Sequence, residues 1–477
     1  MKYHGLVRVL YLLPATGLGL ALFNVWIPYS YWADELGSVS MSTLPLNEVL
    51  ISIAGDVHPP LFQLLLKGWV WCFGTDEPLV RSFSLLCCIS ALAYFVSQTR
   101  LLSSPARWAA ISIFATCSSF SFYSQEARSY GLTLLLATIL TLIYVRHSSN
   151  RNLKCTYRLA FFAALLSLTH YFGLLLSLTI LTLSAVESWQ AERTRNILIS
   201  TLALCCAWPT VHAVLGLAKL KTSKNGWMVV DGPLDSARIL YRTFLPNVPD
   251  VYLLMFVLSF LSLIAHTIFV VQRNREIDGS SWPQTFKLTA LFAVMWLGVS
   301  CIDMISPIST ERNFIVLLPT FALLVAHCLQ VAVGQNKIVV SILVMFGVAL
   351  SSINGLFFSH YLLALKWTPQ QNWRETAQFL VSNHKFEHLY YLRSRDDEET
   401  ERVFNFYVKK LSKGTLALER IYISQIPEIK MPSMLVLGGV GQPTFDEVKK
   451  LSRGSKLKIF QPSQSLIGTT GVVILSD

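Results

Sequence analysis

Charge is what this 477-residue chain has least of: 14% of its residues are Asp, Glu, Lys or Arg, against 53% hydrophobic. A water-soluble domain carries roughly a quarter charged residues, so a soluble globular enzyme is excluded. Apolar stretches of about twenty residues recur, each able to cross the hydrocarbon core as a helix. The chain therefore reads as a polytopic membrane protein. Cysteine is present but offers no framework. Cys87, Cys88, Cys117, Cys205, Cys206, Cys301 and Cys328 fall inside apolar segments, and none of the nine lies in the polar C-terminal tail. That excludes a disulfide scaffold and gives no metal-ligand spacing. Internal repeats and low-complexity segments are also missing. No small-residue cleavage pattern follows the first apolar stretch (7–28), which reads as a retained anchor. The excess of 39 Lys and Arg over 28 Asp and Glu is spread among short loops, so it orients helices and implies no nucleic-acid partner.

Hydropathy places eleven spans near 7–28, 79–100, 106–122, 128–146, 157–169, 171–188, 196–216, 251–271, 286–304, 313–332 and 338–358. The fifth and sixth meet at His170-Tyr171, and one long helix is the alternative. Basic residues alternate onto one side: Lys2 and Arg8, then Arg100 and Arg107, the 146–158 loop, Arg193 and Arg195, and Arg273 and Arg275. By the positive-inside rule that side is cytoplasmic. The opposite side, taken as periplasmic on a bacterial inner membrane, receives 29–78, 217–250, 305–312 and the tail. Within 29–78, segments 45–55 and 58–74 read as interfacial helices; a further span at 58–74 would flip every later loop. The chain thus divides into a membrane module (1–362) and a small soluble α/β domain (363–477). In the tail, QNWRETAQFLVSNHK and DDEETERVFNFYVKKL read as amphipathic helices, and HLYYLR, RIYIS, SMLVLGG and VVILSD as short strands. Gly438-Gly439 reads as a strand-end turn, with a ligand loop as the alternative.

Against this apolar background one loop gathers ionisable residues. Asp34 and Glu35 follow the first span among Trp26, Tyr29, Tyr31 and Trp32, and Asp56-Val57-His58-Pro59-Pro60 follows in the same loop. Ionisable residues are costly in a lipid-embedded chain and mark sites. A carboxylate partly withdrawn from water is a better general base, while a hydrated pair beyond a helix end is the plainer alternative. Asp56 and His58 could join Asp34 around a divalent ion, or could brace the Pro-Pro turn.

YWADELGSV, DVHPPLFQLLLKGWVWCFG and EPLVRSFSLL resemble the opening of the polyprenyl-phosphate-sugar-dependent glycosyltransferases of the GT-C type. That group includes the protein O-mannosyltransferases and the lipid A aminoarabinose transferase. YSQEARSYGLTLLLA resembles the group's Arg-x-Tyr signature, here Arg128 and Tyr130. SLTHYFGLLL, STERNFIVLLPTFALL and NWRETAQFL are similar to later family segments, in order. The resemblance implies a lipid-linked sugar donor, a lipid, glycan or protein acceptor, and inverting transfer on the non-cytoplasmic face. Asp34 matches the family's base, and Glu35 a second acid that would position acceptor or base. The resemblance also places His170 and Tyr171 near the substrate cavity.

Such a reaction needs cations for the charge that grows on the leaving phosphate. Arg128 and Arg312, at the outer starts of the fourth and tenth spans, are candidates, with a snorkelling Arg128 and an Arg312–Glu311 ion pair as the alternatives. Lys219, Lys221, Lys224, Arg238 and Arg242 form a basic run against the positive-inside trend. They would gather a phosphate or touch anionic membrane lipids. Asp56, His58, Tyr130, His170 and Tyr171 are the expected substrate contacts. Three other functions compete. A flippase would carry midplane charges and repeats, which are missing here. A non-catalytic glycolipid-binding relative would be free to lose Asp34. An oligosaccharide ligase or polymerase would differ in substrate more than in chemistry.

Overall fold

The computed structural model describes residues 4–26, 30–56, 58–147, 153–220, 230, 232–244, 261–262, 264–265, 268–269, 284–367, 373–383, 388–393, 398–422, 424–425, 433–437, 450, 456–460 and 471–476. The chain forms two compact units, residues 1–26 with 41–360 and residues 27–40 with 361–477. The segment after the first span is thus part of the second unit, whereas the sequence assigns the whole 29–78 loop to the membrane module.

The first unit is helical. α1 (His4–Asn24) is followed by α2 (Ala33–Thr43), inside which the unit boundary falls, then α3 (Leu46–Ala54) and α4 (Pro60–Phe73). Next come α5 (Glu77–Gln98), α6 (Ser104–Thr116), α7 (Ser118–Tyr123), α8 (Tyr130–His147), α9 (Leu153–Ser167) and α10 (Tyr171–Glu187). α11 (Glu192–Cys205), α12 (Ala207–Leu220), α13 (Pro233–Phe244) and α14 (Gln284–Asp303) follow. A 3-10 turn (Asn313–Leu317), α15 (Leu318–Gly334) and α16 (Ile338–Trp367), which from residue 361 belongs to the second unit, complete the series.

Among the described residues six helices are long and apolar enough to cross a membrane: Glu77–Gln98, Tyr130–His147, Glu192–Val214, Gln284–Asp303, Asn313–Gly334 and Ile338–Phe357. This is an integral membrane protein. Leu10–Asn24 and Tyr171–Glu187 are shorter apolar helices. The expected segment 106–122 is broken at Cys117, and most of 251–271 lies outside the described residues. Residues 157–188 form two helices. The hydroxyls of Ser167 and Thr169 donate to the Ala164 and Leu165 carbonyls at 2.8 Å each, an alternative to continuing the ladder. α4 has 14 residues, about 21 Å of helix, too short for a ~30 Å core. Its exposed Leu64, Leu65, Trp71 and Phe73 suit a lipid-facing surface.

α8 and α15 are apolar all round and buried on nearly every side, as central helices should be. α5 lies against α8, and the contact is close because Gly131 has no side chain: a Cβ there would come within 2.8 Å of the Ser84 carbonyl oxygen. At the other end of α8, the wholly buried Lys287 pairs with Glu187, and its Nζ lies 5.0 Å from the Tyr144 ring centroid.

The second unit carries α17 (Trp373–Ser382), α18 (Glu398–Leu411) and a five-stranded sheet of order β2-β1-β3-β5-β4. The strands are β1 (His388–Arg393), β2 (Glu419–Tyr422), β3 (Ser433–Leu437), β4 (Lys456–Phe460) and β5 (Gly471–Ser476). β1 pairs in parallel with β2 and β3, while β5 runs antiparallel to β3 and β4. The sequence reading missed β4. Its Lys456-Leu457-Lys458-Ile459-Phe460 alternates charge with apolar residues, the pattern of an edge strand. Tyr31, Trp373, Tyr391, Phe404 and Tyr407 form the buried aromatic core of this unit. Tyr407 Oη accepts from the Tyr31 amide at 2.7 Å, and Ser30 Oγ accepts from the Arg374 amide at 3.1 Å. These bonds tie residues 27–40 to the tail within one unit.

Candidate functional site

Four connections of the membrane unit bring their functional side chains together. The first is the turn before α4. Pro59 and Pro60 open that helix, Pro60 at a position where a missing N–H costs nothing. The next donor, Leu61 N–H, goes to the Leu168 carbonyl at 2.8 Å, so the His58 turn is docked on the break between α9 and α10. At that break His170 caps α10, its Nδ1 accepting from the Phe172 amide at 3.2 Å. The ring centroids of His58 and His170 are 5.9 Å apart.

The third connection joins α7 to α8. Ser84 on α5 anchors it: its hydroxyl lies 2.5 Å from the Glu126 carbonyl oxygen and 3.3 Å from that of Arg128. Arg128 Nη2 then reaches His58 Nε2 at 3.2 Å, and His58 Nδ1 lies 3.5 Å from Asp56 Oδ1. Tyr130 stands with its centroid 5.5 Å from His170 and 4.7 Å from Tyr123. The fourth connection leads from α14 into the 3-10 turn. Buried Asp303 folds it by accepting from the Ile308 and Ser309 amides at 2.8 and 3.0 Å, and Asn313 Nδ2 donates to Ile308 O at 2.9 Å. The loop so formed carries Arg312, whose guanidinium carbon lies 5.9 Å from the Tyr130 centroid, within cation–π range.

The result is an unbroken series Asp56–His58–Arg128 and His58–His170–Tyr130–Arg312. Burial first, with the nearby Arg128 and Arg312 guanidiniums acting in the same direction, holds the His170 imidazole well below its usual pKa. It is neutral, as its cap bond also requires. With Nδ1 accepting, its proton sits on Nε2. The site therefore offers two permanent cations and a neutral N–H donor, a set suited to a phosphate.

The other expected residues make further contacts, and Tyr171 lies within electrostatic range of Asp56. Tyr171 hydrogen-bonds to His212 Nδ1, and its ring stacks on His212 at 5.9 Å, with Trp208 stacked beyond at 6.3 Å. Arg242 is exposed in the last turn of α13 beside Thr243, whose hydroxyl lies 3.1 Å from the Glu311 carbonyl oxygen. Lys219 falls in α12 with its side chain outside the described residues, as are Lys221, Lys224 and the Gly438-Gly439 turn. Among the described residues no group of three or more His, Cys, Asp or Glu is placed to hold a metal ion. Sequence reasoning missed Asp303, His212 and Trp208. The available signal for Asp303 was an acid closing a helix of twenty residues.

In the second unit, Asp34 and Glu35 occupy the first turn of α2. Glu35 is fully buried, and its Oε2 accepts from the Trp32 amide at 3.4 Å. This is the reciprocal half of a capping box, in which an acid at the third helical position satisfies the amide preceding the helix. Asp34, one residue earlier, is only half-buried. The two neighbouring acids therefore sit in different surroundings, one closing a helix end and the other accessible.

No protein-family model matches the chain, and no curated protein matches it. Among solved structures, the apo form of ArnT from Cupriavidus metallidurans is similar, at 11% identity and a TM-score of 0.60. The undecaprenyl phosphate-bound form of the same protein is similar at 12% identity and a TM-score of 0.58. Each likeness covers 97% of this chain and 97% of that one, so from end to end the chain has the ArnT-like GT-C fold.

Proposed function

We propose that the protein is a glycosyltransferase that moves a sugar from a polyprenyl-phosphate donor to an acceptor hydroxyl on the non-cytoplasmic membrane face. The carrying observation is the gathering of Arg128, Arg312, His58 and His170 around Tyr130. The ArnT-like fold, known with undecaprenyl phosphate bound in one neighbour, supports a lipid phosphate as the anion held there. Arg128 and Arg312 neutralise charge that grows on the phosphate oxygens as the sugar–oxygen bond breaks. Asp34 takes the proton of the attacking hydroxyl. A single displacement at the anomeric carbon inverts its configuration; retention would need a second nucleophile.

Because the sugar is unidentified, the first test uses undecaprenyl phosphate itself, bound to the protein in nanodiscs and followed by tryptophan fluorescence. Arg128→Ala should weaken binding about tenfold or more, the scale of a lost charge-assisted hydrogen bond. Unchanged binding would remove Arg128 from the site. With a donor and acceptor found by comparing glycolipids of cells with and without the protein, Asp34→Asn should abolish transfer while leaving membrane insertion intact. Near-normal turnover by that variant would rule Asp34 out as the base.

A further inference from the structure

A carboxylate is an unexpected neighbour for a phosphate site. Asp56 lies 3.5 Å from a histidine that itself touches Arg128, and a bystander acid there would repel the very anion the arginine attracts. The hydrogen-bond chemistry gives it a different part. A guanidinium has five N–H donors and no acceptor. The 3.2 Å contact between Arg128 Nη2 and His58 Nε2 therefore requires Nε2 to be the lone-pair nitrogen, so the imidazole is neutral with its proton on Nδ1. Nδ1 is the nitrogen that faces Asp56, and a carboxylate beside that N–H fixes both the tautomer and the ring orientation.

Resting on the phosphate-binding role of Arg128 given above, we infer that Asp56 and His58 form a positioning relay: Asp56 holds the His58 tautomer, and His58 Nε2 orients the Arg128 guanidinium. The relay uses the second of two opposite histidine states in the site. His170 accepts at Nδ1, from Phe172 N–H, and carries its proton on Nε2; His58 carries its proton on Nδ1 and accepts at Nε2. Two imidazoles 5.9 Å apart thus play different parts, one steering a cation and one donating a hydrogen bond. Among the described residues, Asp56, Arg128 and His170 face His58. Held by a fixed acceptor, the Arg128 guanidinium has a set orientation, and less side-chain entropy is lost when it binds a ligand.

Undecaprenyl phosphate binding in nanodiscs separates this role from simple electrostatics. Asp56→Ala removes a negative charge; a bystander acid predicts tighter binding, whereas the relay predicts binding weakened about three- to tenfold. His58→Phe should weaken binding similarly. His58→Gln, whose amide oxygen can accept where Nε2 does, should return it to within about twofold of wild type. His58→Lys places a donor and a like charge against Arg128, and should be the worst of the four. Nitrogen-15 spectra of histidine-labelled protein, with the His58 signal assigned by its loss in His58→Gln, read the tautomer without any ligand. A protonated Nδ1 and bare Nε2 are expected. A proton on Nε2, tighter binding by Asp56→Ala, or wild-type binding by His58→Phe would each overturn the relay. Failure of the phosphate reading looks different: wild type and Arg128→Ala alike would not bind the lipid phosphate, while the spectra would still report on His58.

Discussion

Two glycines in helices give opposite predictions for the same substitution, and the contrast tests how the Arg128 turn is held. Gly131 is the second residue of α8, and an added Cβ would come within 2.8 Å of Ser84 O, 3.1 Å of Ser84 Cα and 3.2 Å of Ser84 Cβ. The first two are backbone atoms in the middle of α5 and cannot rotate away, so the helices must part by several tenths of an ångström. Overpacking of this kind costs about 1–3 kcal/mol, which outweighs the roughly 1 kcal/mol that Ala gains over Gly in a helix. Gly68 in α4 meets nothing within 4 Å, so there only the helix-propensity gain operates. In detergent, Gly68→Ala should therefore melt at or slightly above wild type, and Gly131→Ala below it. Parting α5 from α8 also lengthens the Ser84 hydroxyl contacts to the Glu126 and Arg128 carbonyls. Gly131→Ala should accordingly weaken undecaprenyl phosphate binding, which Gly68→Ala should not. If both variants shift the melting temperature in the same direction, or Gly131→Ala binds lipid phosphate like wild type, the account of how α5 sets the arginine turn is wrong.

The neighbouring acids should separate cleanly. Glu35→Ala removes a buried cap and should destabilise the second unit by about 1 kcal/mol, seen as increased proteolysis of the tail, whereas Asp34→Asn should leave protease resistance unchanged. The buried pair at the far end of α8 predicts a double-mutant signature: Lys287→Met alone strands the Glu187 charge and costs about 3–5 kcal/mol, while adding Glu187→Leu recovers most of the loss. Equal melting of the single and double variants would contradict that. A pH series tests His170. Its pKa is lowered in the folded protein, so the unfolded chain binds more protons, and stability present at neutral pH is lost as the pH falls below the unfolded value of about 6.5. His170→Asn keeps a good cap but cannot titrate, so its melting temperature should fall less between pH 7 and 5 than that of wild type; an equal fall would refute the assignment.

The arithmetic of hydropathy reached the helices because burying a backbone in lipid leaves a chain little choice but to satisfy every peptide group internally. Composition alone thus identified a membrane protein, and the 58–74 segment already showed the length of a helix that stops short of crossing. Residue type also marked Arg128, Arg312 and His58, since charge and imidazole are conspicuous in apolar sequence, while only the family resemblance pointed to His170. Their meeting was not legible, because it depends on contacts between residues distant in the chain, such as the Leu61–Leu168 hydrogen bond and the Ser84 anchor. Composition and spacing left Asp34 and Glu35 as adjacent acids of like chemistry, told apart only by the family resemblance, whereas helix geometry makes Glu35 a buried cap. The edge strand β4 and the grouping of residues 27–40 with the tail belong to the same class. Sequence determined which parts of this chain avoid water and which residues were too costly to be there by chance; only the tertiary structure decided which of those residues touch, because contact is set by packing across the whole fold.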